Sequence, residues 1–124
     1  MAEPSNILLY VTDPKASARL YATLLDREPV EASPTFVLFA LPSGLALSLW
    51  ARSGVVPAPT QAGGGGEIGF RVHGAARVDA LHDAWRAKGA EIVLAPTDLD
   101  FGRSFVAVDP DGHRLRVYAR TEDQ

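Results

Sequence analysis

Near the end of the chain, hydrophobic positions alternate with other residues on both sides of Asp109-Pro110-Asp111-Gly112. That tetrapeptide is a tight-turn signal, because proline pre-sets its own φ and glycine supplies the positive φ a reversal needs. Period-two alternation marks strands buried on one face, so Ser104–Val108 and His113–Ala119 are predicted to form an antiparallel hairpin. The same pattern occurs earlier, in Phe36–Ala51, around Pro42 and Gly44. Counted from the turns, Pro42 matches Pro110, Gly44 matches Gly112, Leu47 matches Leu115, Trp50 matches Tyr118 and Arg52 matches Arg120.

The rest of the chain repeats as well. Asn6–Thr12 reads as a strand. Asp13 follows as an N-cap, with Pro14 at the first helical position, where a missing N–H costs least. A helix to Leu25 places Ser17, Leu20, Tyr21 and Leu24 on one face. Glu28–Ala32 reads as a short strand before the first hairpin. In the second copy, Glu67–His73 is a strand and Ala75–Lys88 a helix with Val78, Leu81, Ala84 and Trp85 on one face, closed by Gly89. Glu91–Ala95 is a short strand and Pro96–Asp100 a loop. Ile7, Val11, Leu20 and Leu24 align with Ile68, Val72, Leu81 and Trp85 at one constant offset. The expected fold is therefore α+β: two tandem β-α-β-β-β modules forming a curved mixed sheet around a cleft. A single domain over 1–124 is expected, with module 1 at about 5–52, a mobile linker at 53–66 and module 2 at about 67–120. Gly64-x-Gly66-x-x-Gly69, running from that linker into module 2, matches a dinucleotide fingerprint literally, but its glycines lead into a strand instead of opening a helix and it is rejected on that ground.

Composition narrows the function. The formal net charge of −3 speaks against a nucleic-acid partner. The chain has no cysteine, which excludes disulfides, thiolate metal sites and a cysteine nucleophile. No apolar run is long enough to span a membrane and no signal peptide is visible, so a cytoplasmic protein is expected.

Strand alternation assigns faces. Ile68, Phe70, Val72, Leu47, Leu49, Leu115 and Val117 are expected to pack under the helices. Asn6, Leu8, Tyr10, Ser48 and Trp50, with Glu67, Gly69, Arg71, Arg114, Arg116 and Tyr118, are expected to line the cleft. Aromatic rings with a few charged groups suit a flat, partly polar small molecule. Tyr10, Ser48, Trp50, Glu67, Arg116 and Tyr118 are the candidate ligand-binding residues. His73, His82 and His113 lack metal-ligand spacing. Ser48 and Ser104 have no histidine expected nearby, so nucleophilic catalysis has no support.

The double module ending in Asp109-Pro-Asp-Gly-His113 resembles the vicinal oxygen chelate superfamily, the glyoxalase/bleomycin-resistance/dioxygenase fold, over essentially the whole chain. Ile7–Val11 through Tyr21, Glu28-Pro-Val30, Ala46–Trp50, Glu67-Ile-Gly69, and Phe101-Gly-Arg-Ser-Phe through Arg116-Val117 look most like the phenazine-antibiotic resistance proteins. That resemblance implies a non-enzymatic homodimer that sequesters a planar drug between aromatic side chains. Enzymes of the superfamily hold a divalent metal at positions that map onto Asn6, Ser48, Glu67 and Arg116. Of these, Glu67 alone is a competent ligand, and arginine repels a cation. Glu67 and Arg116 are instead expected to form a buried ion pair. No cofactor and no metal are expected. The expected function is binding and sequestration of a phenazine-like aromatic molecule. Two alternatives stand beside it: a metal-dependent lyase or dioxygenase using Glu67, and a ligand-free regulatory or partner-binding module.

Overall fold

A computed structural model describes residues 2–123. Its strands and helices run β1 (Asn6–Val11), α1 (Pro14–Leu25), β2 (Glu31–Ala32), β3 (Phe36–Ala40), β4 (Ala46–Ala51), β5 (Glu67–Arg71), α2 (Ala75–Ala87), β6 (Glu91–Leu99), β7 (Gly102–Val108) and β8 (Arg114–Arg120). The module is thus written twice, as β-α-β-β-β. The chain divides into two compact units, Met1–Ala62 and Gly63–Gln124.

Unit 1 carries a four-stranded mixed sheet in the order β1-β4-β3-β2. β1 runs parallel to β4, and β3 pairs antiparallel with both β4 and β2. Helix α1 starts where the sequence places it. The Asp13 carboxylate accepts from the Lys15 and Ala16 N–H groups at 3.1 and 3.3 Å, satisfying donors that the first helical turn leaves open. The helix ends at Asp26, which takes the left-handed conformation and returns its N–H to Ala22. Ser17, Tyr21 and Leu24 turn inward, and α1 packs on β3 and β4 over Val37, Phe39, Leu47 and Leu49.

Unit 2 repeats this with the order β5-β8-β7-β6. Its core is more aromatic. Trp85 of α2 meets Phe70 of β5 and Phe105 of β7 edge-to-face, each at 5.4 Å between ring centres. Such pairs add stabilisation beyond the apolar area they bury. Val78, Ala107, Leu115, Val117 and Ala119 complete this core. Ala84, expected on the buried face of α2, is exposed, because the inward stripe runs through Val78 and Trp85. A cross-strand clamp also holds α2. Arg103 of β7 donates to Asp79 of α2 at 2.8 Å and to Asp98 of β6 at 3.0 Å.

Three expectations are corrected. Of the loop expected at Pro96–Asp100, all but the turn residue Asp100 is instead the second half of one nine-residue strand, β6. Pro96 is tolerated there because β6 is an edge strand whose pairing slips at two bulges, so the missing N–H breaks no ladder. The strand expected over Glu28–Ala32 shrinks to Glu31–Ala32. The segment 53–66 is not an unanchored tether. Arg52–Gly54 forms a 3₁₀ turn, Val55 is buried, and the Arg52 guanidinium donates to the Gln61 carbonyl at 3.3 Å. Gly63 lies against the β7–β8 turn. A Cβ there would come within 2.7 Å of the Asp111 carbonyl oxygen and 2.8 Å of His113 Nδ1. Among the described residues no helix is long and apolar enough to cross a membrane.

Candidate ligand-binding faces

Each sheet has one face under its helix and one face away from it. In unit 1 the register sets Leu8 beside Ser48 and Tyr10 beside Trp50, with Leu38 and Phe36 opposite them on β3. On this face Ser48 Oγ donates to Asn6 Oδ1 at 2.8 Å. Tyr10 and Trp50 meet edge-on, their ring centres 6.2 Å apart and their planes at 79°. Leu8 is 43 % exposed and Tyr10 36 %, well above what a core face would show. Tyr10, Ser48 and Trp50 therefore come together on one largely apolar, aromatic surface, with the Ser48 hydroxyl tied to Asn6.

Unit 2 presents the same positions with different chemistry. Glu67 of β5 occupies the place of Asn6, and Arg116 of β8 the place of Ser48. Arg116 grips Glu67 with two parallel bonds, Nε to Oε1 and Nη2 to Oε2, both 2.8 Å. This is the fork geometry in which arginine binds carboxylates best. A third bond runs from Nη1 to the buried Ser104 hydroxyl at 2.9 Å. The hydrogen bonds from Arg116 hold the Glu67 carboxyl below its ordinary range, against the opposing effect of burial and with help from the charges of Arg116 and Arg114. The same bonds raise Arg116 further. The pair was expected to be buried. It is not, since the side chains are 20 % and 32 % exposed. Both groups lie on an edge-to-centre strand pair with no helix above them.

Tyr118 stands on this face too, with Phe101 edge-on at 6.0 Å. Its ring lies over Gly69, where a Cβ would sit 3.3 Å from Tyr118 Cε1. Glycine at 69 thus makes room for the ring. Phe101 escaped the sequence reading because it falls just outside β7, off the strand alternation. Leu38 and Phe36 were overlooked because their hairpin arm is apolar on both faces.

The four positions that carry metal in the superfamily's enzymes form two closed pairs, Asn6–Ser48 and Glu67–Arg116. A divalent cation needs several converging oxygen or nitrogen donors. Glu67 has both oxygens committed to a guanidinium, and the adjacent positive charge repels a cation. The donor set does not fit such a metal, and among the described residues no group of three or more His, Cys, Asp or Glu side chains could hold one.

Repeated β-α-β-β-β units with paired polar positions on first and last strands define a class. The profile of the Glyoxalase/Bleomycin resistance protein/Dioxygenase superfamily matches residues 4–117, and the chain belongs to that superfamily. Among its relatives is the phenazine antibiotic resistance protein EhpR of Enterobacter agglomerans, 31 % identical over 118 residues, which cover 92 % of this chain and 89 % of EhpR. A protein from Agrobacterium tumefaciens with a solution NMR structure is 47 % identical, with a TM-score of 0.89 over 98 % of this chain and 99 % of that one. A glyoxalase-related enzyme from Fulvimarina pelagi shares the fold at 24 % identity, with a TM-score of 0.83 over 97 % of this chain and 89 % of that one.

Proposed function

We propose that this protein binds and sequesters a planar aromatic small molecule of the phenazine type, without catalysis, and so confers resistance to it. The observation that carries the reading is the pairing of aromatic side chains on a helix-free sheet face, Tyr10 with Trp50 and Phe101 with Tyr118. Flat ligands stack on such rings, and the edge-on partner fixes the ring that receives them. The similarity to EhpR supports the same reading. Tyr10, Ser48 and Trp50 serve as the ligand surface of unit 1, and Glu67, Arg116 and Tyr118 as that of unit 2. In this reading the polar pairs orient the ligand, the two modules act as one domain, and the protein works as a cytoplasmic homodimer.

The experiment is a fluorescence titration with a panel of phenazines. Trp85 is buried in the unit 2 core and Trp50 is half-buried on the open face, so a ligand stacking there quenches one indole and spares the other. Saturable quenching that disappears in Trp50→Phe supports the proposal. Absence of binding across the panel by both fluorescence and calorimetry would overturn it.

A further inference from the structure

Strand β8 sets Arg114, Arg116, Tyr118 and Arg120 in one row, alternating with the buried Leu115, Val117 and Ala119. Arg71 joins them from β5, in register with Tyr118. Four guanidiniums on one sheet face are unexpected in a chain where Asp and Glu number 15 against 12 Lys and Arg. Three of the four have carboxylate partners. Arg116 is held by Glu67, while Arg71 and Arg120 reach Glu122 at 3.7 and 3.0 Å. Arg114 differs: it is exposed, and its guanidinium makes no hydrogen bond or ion pair with a described residue. Glu67, its neighbour across the β5–β8 ladder, has both oxygens bound to Arg116 and contributes to Arg114 only a field. The face therefore combines a paired aromatic ring, a saturated ion pair and one unspent cation.

We propose that the ligand is a planar aromatic carboxylate, its rings on Tyr118 and Phe101 and its carboxylate taken by Arg114. This rests on the aromatic-ligand reading above and adds the charge of the ligand to it. Arg114 and Tyr118 are four residues apart, about 13 Å along a strand. A fused-ring system and the long arginine side chain cover that span together. The guanidinium fork matches a carboxylate in two parallel bonds, a geometry an amide cannot reproduce with the same charge. The Glu67–Arg116 pair supports this arrangement, because it removes the one carboxylate that would otherwise neutralise Arg114.

Calorimetric titration of the full chain with phenazine, phenazine-1-carboxylate and phenazine-1-carboxamide tests it. The carboxylate is expected to bind roughly tenfold tighter than the carboxamide, a difference of about 1.4 kcal/mol. That preference should shrink as salt rises, since an exposed charge contact is screened. In Arg114→Gln the ratio of the two affinities should fall to near one, and Arg114→Lys should restore part of it. Equal affinity of the wild-type protein for carboxylate and carboxamide would overturn this inference while leaving the aromatic-ligand reading standing. A preference that persists undiminished in Arg114→Gln would also overturn it. Failure of all three compounds to bind would remove both.

Discussion

Trp50 and Trp85 are the same residue in opposite circumstances. Trp85 is 4 % exposed and locked between Phe70 and Phe105, so Trp85→Ala should cost about 3–5 kcal/mol of stability, the usual range for emptying an aromatic core site. Trp50 meets the edge of Tyr10 and stands opposite Phe36 on the open face. Trp50→Ala should cost less stability than Trp85→Ala, because the indole is only half-buried, and should weaken phenazine binding by about 1–3 kcal/mol. Urea melts and calorimetry separate the two effects, and unaltered affinity would take Trp50 out of the site. The Glu67–Arg116 pair is decided by exposure. A fully buried pair would cost about 3–5 kcal/mol to break, but this one is partly solvated, so Arg116→Ala should cost nearer 1–2 kcal/mol, including the lost bond to buried Ser104. Its pH dependence has a definite sign. The folded-state pKa of Glu67 is lowered by Arg116, so the pair's contribution is complete above the unfolded carboxylate value of about 4.3 and is lost as pH falls through the folded value. Wild-type protein should lose stability between about pH 5 and pH 3 by more than Glu67→Gln does. Parallel acid profiles for the two proteins would show that the pair contributes nothing.

Among the elements, those with a regular period were legible in the sequence and those without one were not. Asp13-Pro14 fixes the start of α1 through chemistry that needs no tertiary contact, and it capped the helix as expected. Both hairpins followed from Pro-x-Gly turns and alternation. β6 was truncated at Pro96, because only its edge position and its bulges, which are tertiary facts, make proline acceptable there. The glycine run 63–66 misled in a more instructive way. Composition marks all four as flexible, yet Gly63 is hemmed in by the backbone of the Asp109–Gly112 turn, while around Gly65 nothing lies within 4 Å of a added Cβ. Gly63→Ala should therefore destabilise by about 1–3 kcal/mol, as overpacking against backbone does. Gly65→Ala should be neutral, or stabilising by about 0.4–1 kcal/mol through the unfolded chain. Denaturant midpoints of the two variants check this, and equal midpoints would mean the contact of Gly63 with the turn carries no energy.

For the whole molecule, the question is whether a fold shared with metal-dependent enzymes still uses a metal here. Fold alone does not answer it, because function resides in the site. The sequence already showed the departure, since arginine at 116 and serine at 48 can be read without coordinates. What it could not show is how completely the four positions satisfy one another. Ser48 spends its proton on Asn6, and Arg116 spends three N–H groups on Glu67 and Ser104, so opening either pair to a cation would break bonds already made. A cation approaching Glu67 also meets a guanidinium 2.8 Å from each carboxylate oxygen, a repulsion that only loss of the ion pair would relieve. Dialysis against a chelator should thus leave phenazine affinity unchanged, and millimolar manganese, nickel or zinc should not raise the melting temperature. Arg116→Glu supplies the contrast, because it replaces the repelling group with a second carboxylate beside Glu67. Divalent cations should then stabilise that variant by relieving the new like-charge repulsion, with a melting temperature that climbs with metal concentration. A saturable rise in the wild-type protein would mean that the Glu67–Arg116 pair opens to admit a metal, and would move this chain back toward the enzymes of its superfamily.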